Sequence, residues 1–224
     1  MRIEIWSDVV CPWCYVGKRR FEKALTGFAH RDEVQVVHRS FQLDPSKPVG
    51  QTQARGEALR RKYGWSPAEA RAREAQMQAT AAAEGLDFQM GSALTGNTAD
   101  AHQVIHLGKA RGIQDAVIER LFRAYFSEGR SLFDHDSLVA LGAQAGLDPD
   151  EVREVLADQR YASAVAADGE HAHALGATGV PFFVIDDRYG ISGAQPTPVF
   201  TEVLARAWAE SHQPDASYIA GGSG

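Results

Sequence analysis

The stretch I-E-I-W-S-D-V-V-C-P-W-C-Y-V-G-K-R-R-F, Ile3 to Phe21, decides the fold. Ile3 and Ile5, with the apolar pair Val9-Val10 beyond them, frame a short, largely buried strand ending at Ser7-Asp8. Cys11-Pro12 then opens a helix. Proline at the first helical position has the right fixed φ, and the amide it lacks would be unpaired there anyway. Tyr15, Arg19, Phe21 and Leu25 carry the helix to about Phe28, and the β-branched run from Val34 to His38 predicts a second strand. The first 40 residues thus read as β-α-β, with a C-x-x-C motif at the strand-to-helix turn. Such units cross over right-handedly and place sites at the C-terminal ends of strands, which is where this motif falls.

Outward from that unit, Thr52 to Leu175 reads as helical and is rich in Ala, Arg and Glu. Ser66-Pro67 with Glu69 has the form of a helix cap. Asn97-Thr98 is expected to cap a helix through His102, Ile105 and Leu107, and Leu121, Phe122, Tyr125 and Phe126 form an apolar face on the next. Asp134 and Asp148-Pro149-Asp150-Glu151 mark two further helix starts, with acids where the helix dipole favours them. The period then changes. Pro181 to Ile185 reads as a strand, Asp186 to Gly190 as a turn, Gly190 to Ser192 as a return strand, and Pro198 to about Ser211 as a last helix. Strands at both ends of the chain predict one α/β sheet, over 1–50 and 176–212, interrupted by a helical insertion domain over 51–175. A flexible tail is expected over 213–224.

The 224 residues are 44% hydrophobic and 23% charged, an ordinary globular composition. No apolar run approaches the roughly 20 residues that span a bilayer. The net charge of −6 offers no basic footprint for nucleic acid or anionic lipid. Ile3 to Ser7 already reads as a strand, leaving no room for a leader peptide, so a cytoplasmic location is expected. Structural disulfides are rare in that reducing compartment, and two cysteines three positions apart close too small a loop to stabilise a fold. The pair therefore reads as chemistry rather than scaffolding.

A thiolate is the nucleophile, and a helix N-terminus favours it through partial positive charge and free amides. Cys11 at that end is the attacking residue. Cys14, one turn further in, is placed to resolve a mixed disulfide. Trp13 cannot stabilise the thiolate as a protonated histidine would, so moderate activation is expected. A structural zinc site needs four ligands, and there is no second C-x-x-C. His102 with His106, and His171 with His173, are spaced to share a metal, but satisfied or solvated histidines are the commoner case, and no metal is expected.

These segments resemble a known family. S-D-V-V-C-P-W-C-Y-V-G-K-R-R-F-E (Ser7 to Glu22), G-V-P-F-F-V-I-D and Y-G-I-S-G-A-Q-P (within Gly179 to Pro196), N-T-A-D-A-H (Asn97 to His102) and L-F-R-A-Y-F-S-E-G (Leu121 to Gly129) are similar to the DsbA-like oxidoreductases, specifically the FrnE-like branch. The resemblance implies a thioredoxin-like fold with a helical insertion and protein-disulfide oxidoreductase or isomerase activity through a redox-active Cys11–Cys14 disulfide, with no bound cofactor. It makes Pro181 a cis-proline facing the motif and leaves the Val180 backbone free to pair with substrate. It also brings Pro12, Trp13, Asn97 and His102 into the expected substrate site, with Ser7 and Tyr15 as further candidates for the wall. The expected partner is a protein or small-molecule thiol or disulfide, glutathione among them; a homodimer is left open. Trp13 in place of the histidine of strongly oxidising C-P-H-C members, together with the missing leader, favours reduction or reshuffling over oxidation.

The main rival is a glutathione-dependent enzyme resembling kappa-class transferases and 2-hydroxychromene-2-carboxylate isomerases, acting on an aromatic or polyketide small molecule. Their glutathione-binding G-S-D-R stretch corresponds here to Gly193-Ala194-Gln195-Pro196, which lacks the serine, aspartate and arginine. A non-enzymatic metal-responsive or chaperone-like binder is a weaker rival.

Overall fold

Period-two alternation sorts the side chains of the first strand, β1 (Arg2–Ser7), onto two faces of a sheet. Ile3 and Ile5 face one way and join Phe21, Phe183, Ile185, Phe200 and Leu204 in a buried cluster. Trp6 faces the other way, against Phe41, Ala172, Phe182 and Val184. A computed structural model describes residues 1–212 of the chain. The expected tail over 213–224 lies outside them.

After β1, helix α1 (Pro12–Thr26) crosses to β2 (Gln35–Ser40), which pairs with β1 in parallel from Arg2↔Gln35 to Ser7↔Ser40. Two strands from the far end of the chain complete the sheet. These are β5 (Phe182–Ile185), antiparallel to β1, and β6 (Tyr189–Ser192), antiparallel to β5, giving the order β2-β1-β5-β6. Helix α9 (Thr197–Ser211) packs beside α1, and Phe21 of α1 and Phe200 of α9 meet edge to face.

Between β2 and β5 the chain forms α2 (Arg55–Tyr63), α3 (Pro67–Ala83), α4 (Ala99–Ala110), α5 (Gln114–Phe126), α6 (His135–Gln144), α7 (Pro149–Ala157) and α8 (Ala162–Ala174). Local signals set several starts. Ser66 and Glu69 make a reciprocal capping box on α3, while Asp134 and Asp148 accept backbone amides at the starts of α6 and α7. Thr98 makes no side-chain cap on α4; Asn97 does that work from one residue earlier, its Oδ1 accepting the Ala99 amide at 2.8 Å. A two-stranded ribbon, β3 (Gln53–Ala54) with β4 (Leu94–Thr95), interrupts the expected continuous helical run. Among the described residues, no helix is long and apolar enough to cross a membrane.

The helices share one core that also takes in Val9, Cys11, Cys14, Tyr15 and Val16. Tyr15 of α1 stacks on Phe122 at 4.9 Å and Phe88 at 5.9 Å, which ties the motif helix to the helical segment. Polar bonds reinforce that joint. Lys18 is buried and meets Asp115 at 3.0 Å and Glu119 at 3.2 Å, with Glu22 also in contact. On the opposite side Asp168 of α8 accepts from Arg39 and from the Ser40 amide, both at 2.9 Å, and its carbonyl accepts the Trp6 indole N–H at 2.8 Å.

Candidate active site

The turn after β1 fixes both sulfurs. The Cys11 amide donates to the Asp8 carbonyl at 3.0 Å, and Cys11 keeps extended backbone angles (φ −89°, ψ 111°) as the residue that caps α1. Pro12 follows at the first helical position, and the Cys14 amide donates back to the Cys11 carbonyl at 3.0 Å. Cys11 is 5% exposed and Cys14 2%, whereas Trp13 between them is 45% exposed. The helix amides are not the partners of the Cys11 sulfur. Its thiol instead donates to the Val180 carbonyl at 3.5 Å, across to the segment entering β5.

That segment is held close to α1. The Val180–Pro181 peptide bond is cis, and the Pro181 carbonyl accepts the Gly193 amide at 2.8 Å. A Cβ built on Gly17, in the middle of α1, would sit 2.9 Å from Pro181 Cγ and 3.4 Å from Ala194. Glycine lowers helix stability, and its presence here is explained by this close approach.

Burial pushes the Cys14 thiol well above its ordinary range, and the neighbouring Cys11 sulfur adds to the effect. Cys14 therefore stays protonated until something withdraws its proton. Beneath the pair lies Asp8, which is buried; its Oδ2 accepts the Leu43 amide at 2.8 Å. Its Oδ1 faces His102 Nε2 at 3.4 Å without a hydrogen bond.

A cavity of about 800 Å³ opens in front of Cys11. Cys11, Pro12, Trp13 and Val180 line it, so four of the sequence-predicted site residues meet there. Six others do not line it. Pro181 is buried behind Val180 against Gly17. Ser7 is buried at the end of β1, and Cys14 sits under Cys11. Tyr15 belongs to the aromatic stack on Phe122, its hydroxyl donating to Glu119 at 2.7 Å. Asn97 and His102, expected in the substrate site, are also outside the cavity lining. Asn97 donates to the Lys47 carbonyl at 2.7 Å and accepts from Gln42 at 3.0 Å, while His102 is 1% exposed over Asp8. Missed by sequence reasoning were the outer walls: Arg55, Arg61 and Tyr63 of α2, Trp65, and Arg73 and Met77 of α3. The density of Arg and Lys after Gln53 was the available signal, but in a helical pattern it reads as a solvated face.

The histidines are spoken for separately. His106 Nε2 lies 3.1 Å from both Ser40 Oγ and Asp168 Oδ2, and His171 packs edge-on against Trp6. Among the described residues no group of three or more His, Cys, Asp or Glu is placed to hold a metal ion.

Residues 2–205 match the model of the DSBA-like thioredoxin domain. The chain is 52% identical to a probable DsbA oxidoreductase from Streptomyces coelicolor, covering 96% of this chain and 92% of that one, with a TM-score of 0.91. It is 28% identical to the uncharacterized protein YwbO of Bacillus subtilis over 207 residues, 92% of this chain and 96% of that protein. The fold also resembles the cytosolic disulfide reductase DsbM from Pseudomonas aeruginosa, solved with GSH, at 20% identity and a TM-score of 0.63, covering 92% of this chain and all of that one.

Proposed function

Since the chain belongs to the DSBA-like thioredoxin family, we propose that it is a thiol–disulfide reductase or isomerase working by dithiol exchange through Cys11 and Cys14. The observation that carries this reading is the inequality of the two sulfurs. Cys11 sits at the cavity rim beside the Val180 carbonyl, while burial holds Cys14 beneath it as a thiol.

The exchange then runs in two steps. Cys11, having lost its proton to solvent, attacks a substrate disulfide; a Cys11–substrate bond forms and one substrate thiolate leaves. Losing that proton also removes the donor that occupies the Val180 carbonyl, which becomes free to accept from the substrate backbone. Forming the mixed disulfide takes away the charge on Cys11. Cys14 then attacks Cys11, its proton leaving with the second substrate sulfur as a thiol, and the Cys11–Cys14 disulfide remains. The substrate gains two electrons and the protein loses two. A dithiol or small thiol, glutathione for example, restores the starting state. In a reducing compartment the net direction is reduction or reshuffling.

The test uses purified protein with a disulfide substrate such as insulin. The parent should turn over with a thiol reductant, Cys11→Ser should be inactive, and Cys14→Ser should accumulate a covalent adduct on Cys11 visible by mass spectrometry. Full multi-turnover activity of Cys14→Ser with glutathione would instead support the glutathione-dependent isomerase or transferase reading. Against that reading stands the Gly193–Pro196 segment, which lacks the serine, aspartate and arginine of the glutathione-binding stretch and whose Gln195 side chain is taken up by the Ser192 carbonyl at 2.8 Å.

A further inference from the structure

The protein carries a net charge of −6, yet its positive charge is unevenly held. Among the described residues, eight of the 23 Lys and Arg side chains have no carboxylate within ion-pair reach, and six of these eight fall between Arg55 and Arg73. That segment is α2, the turn after it and the first part of α3, and it supplies much of the lining of the cavity into which the motif opens. Arg55, Arg61, Lys62 and Arg73 all line the cavity and all belong to the unpaired group.

Three carboxylates also line it, but two are already engaged. Asp8 is buried and accepts the Leu43 amide; Asp44 accepts from Ser46 at 2.7 Å and lies 3.9 Å from Lys47. Glu74 is the third, against four unpaired cations. The same wall presents flat apolar surface. Tyr63 stacks on Trp65 at 4.7 Å, Arg73 lies over the Trp65 ring at 4.6 Å, and exposed Trp13, next to Pro12 and Cys11 of the motif, lines the same cavity.

We infer that the α2–α3 wall selects substrates, and that the preferred substrate is a low-molecular-weight disulfide bearing carboxylates on or next to a flat apolar group. This deepens the dithiol-exchange reading and rests on it. A cavity of about 800 Å³ lies within the size range of small-ligand sites, roughly 300–1,000 Å³. Cations concentrated in a cleft raise the local concentration of anions and speed their association, an effect that falls with salt. The reaction is the exchange written above. One such disulfide takes two electrons from the Cys11–Cys14 dithiol and leaves as two thiols.

Single-turnover kinetics tests this without added reductant. Pre-reduced protein is mixed with 5,5′-dithiobis(2-nitrobenzoate), a dianionic aromatic disulfide, or with neutral 4,4′-dithiodipyridine, and thiol release is followed by absorbance. Each rate is divided by that of free cysteine to remove intrinsic reactivity. The triple variant Arg61→Gln/Lys62→Gln/Arg73→Gln changes exposed side chains only. It should lower the dianion-to-neutral ratio about tenfold, at the modest end of electrostatic steering effects. Raising ionic strength to about 0.5 M should shrink the parent's preference and leave the variant's unchanged. A ratio that stays within about twofold of the parent's at low salt would overturn the inference, since a tenfold effect corresponds to about 1.4 kcal/mol. So would a variant that loses rate only toward an acidic peptide disulfide and not toward the small dianion, which would assign the wall to polypeptide. Failure of the exchange mechanism looks different: both disulfides would release a single thiol per protein, or react equally well with Cys11→Ser.

Discussion

Replacing Gly17 with alanine sets two effects of known sign against each other. Alanine is favoured over glycine inside a helix by about 1 kcal/mol. The added methyl, however, would meet Pro181 Cγ at 2.9 Å, where ordinary contact begins near 3.4 Å. Relief requires α1 and the Pro181 segment to separate by about half an ångström, and overpacking of this kind costs about 1–3 kcal/mol. The net expectation is a protein destabilised by about 0–2 kcal/mol. Activity should suffer more than stability, because the same separation pulls the Val180 carbonyl from the Cys11 sulfur it now meets at 3.5 Å. Misplacement by about 1 Å can cost roughly a hundredfold in rate, so half that shift should slow insulin reduction about tenfold. Gly169→Ala is the control. That glycine is also helical, in α8, and a Cβ there meets nothing within 4 Å. It should gain about 1 kcal/mol and keep its rate. Urea denaturation and insulin turnover measured on both variants decide the matter. If Gly17→Ala matches Gly169→Ala in stability and the parent in rate, the proposed contact between helix and loop is not limiting.

Other consequences are open to direct measurement. Burial pushes the Cys14 thiol upward, so its ionisation favours the unfolded chain: stability should hold below about pH 8.5 and fall as the pH rises further, and the fall should be smaller in Cys14→Ala when followed by urea midpoints. Asp168 behaves oppositely. Burial alone would raise its carboxyl, but His106, the Ser40 amide and Arg39 outweigh that and hold it below the usual range. Its contribution is present above about pH 4 and lost as the pH falls, so Asp168→Asn should flatten the acid limb of the stability profile. Glu119→Gln weakens the anchor of Lys18, Arg19 and Tyr15 to α5. With Glu119 partly solvated and Asp115 and Glu22 still beside Lys18, a loss of about 1 kcal/mol is expected in chemical denaturation. Asp134→Ala removes the side-chain cap of α6 and should also cost about 1 kcal/mol in the same assay.

Features encoded by neighbouring residues are legible in the sequence alone. The opening β-α-β, the Pro12 start, the Ser66–Glu69 box and the Asp134 and Asp148 caps each rest on a pattern a few residues long. The ribbon of β3 and β4 is not, because two-residue strands carry no periodicity and take their partners from 40 positions away. Asn97 and His102 show the same limit within the site. A short polar motif marks them out, but only the packing reveals that Asn97 turns to the Lys47 carbonyl and His102 down onto Asp8. The cationic wall is visible as composition, while its place in one cavity with Cys11 depends on the tertiary packing of α2 and α3.

The register of the sheet has a consequence for synthesis. β1 lies between β2, which follows it within about 30 residues, and β5, whose Ile185 pairs with Ile3. During translation the cysteine motif and β1 leave the ribosome long before the strand that carries Val180. At about 5–20 residues per second, the stretch from Ser40 to Phe182 takes roughly 7–30 s to make. Through that interval β1 presents an open edge, and Cys11 lacks its Val180 partner. A nascent chain stalled after Ala174 should therefore hold Cys11 open to alkylation, and one released after α9 should hold it sheltered. Alkylation of stalled chains would time the assembly of the site.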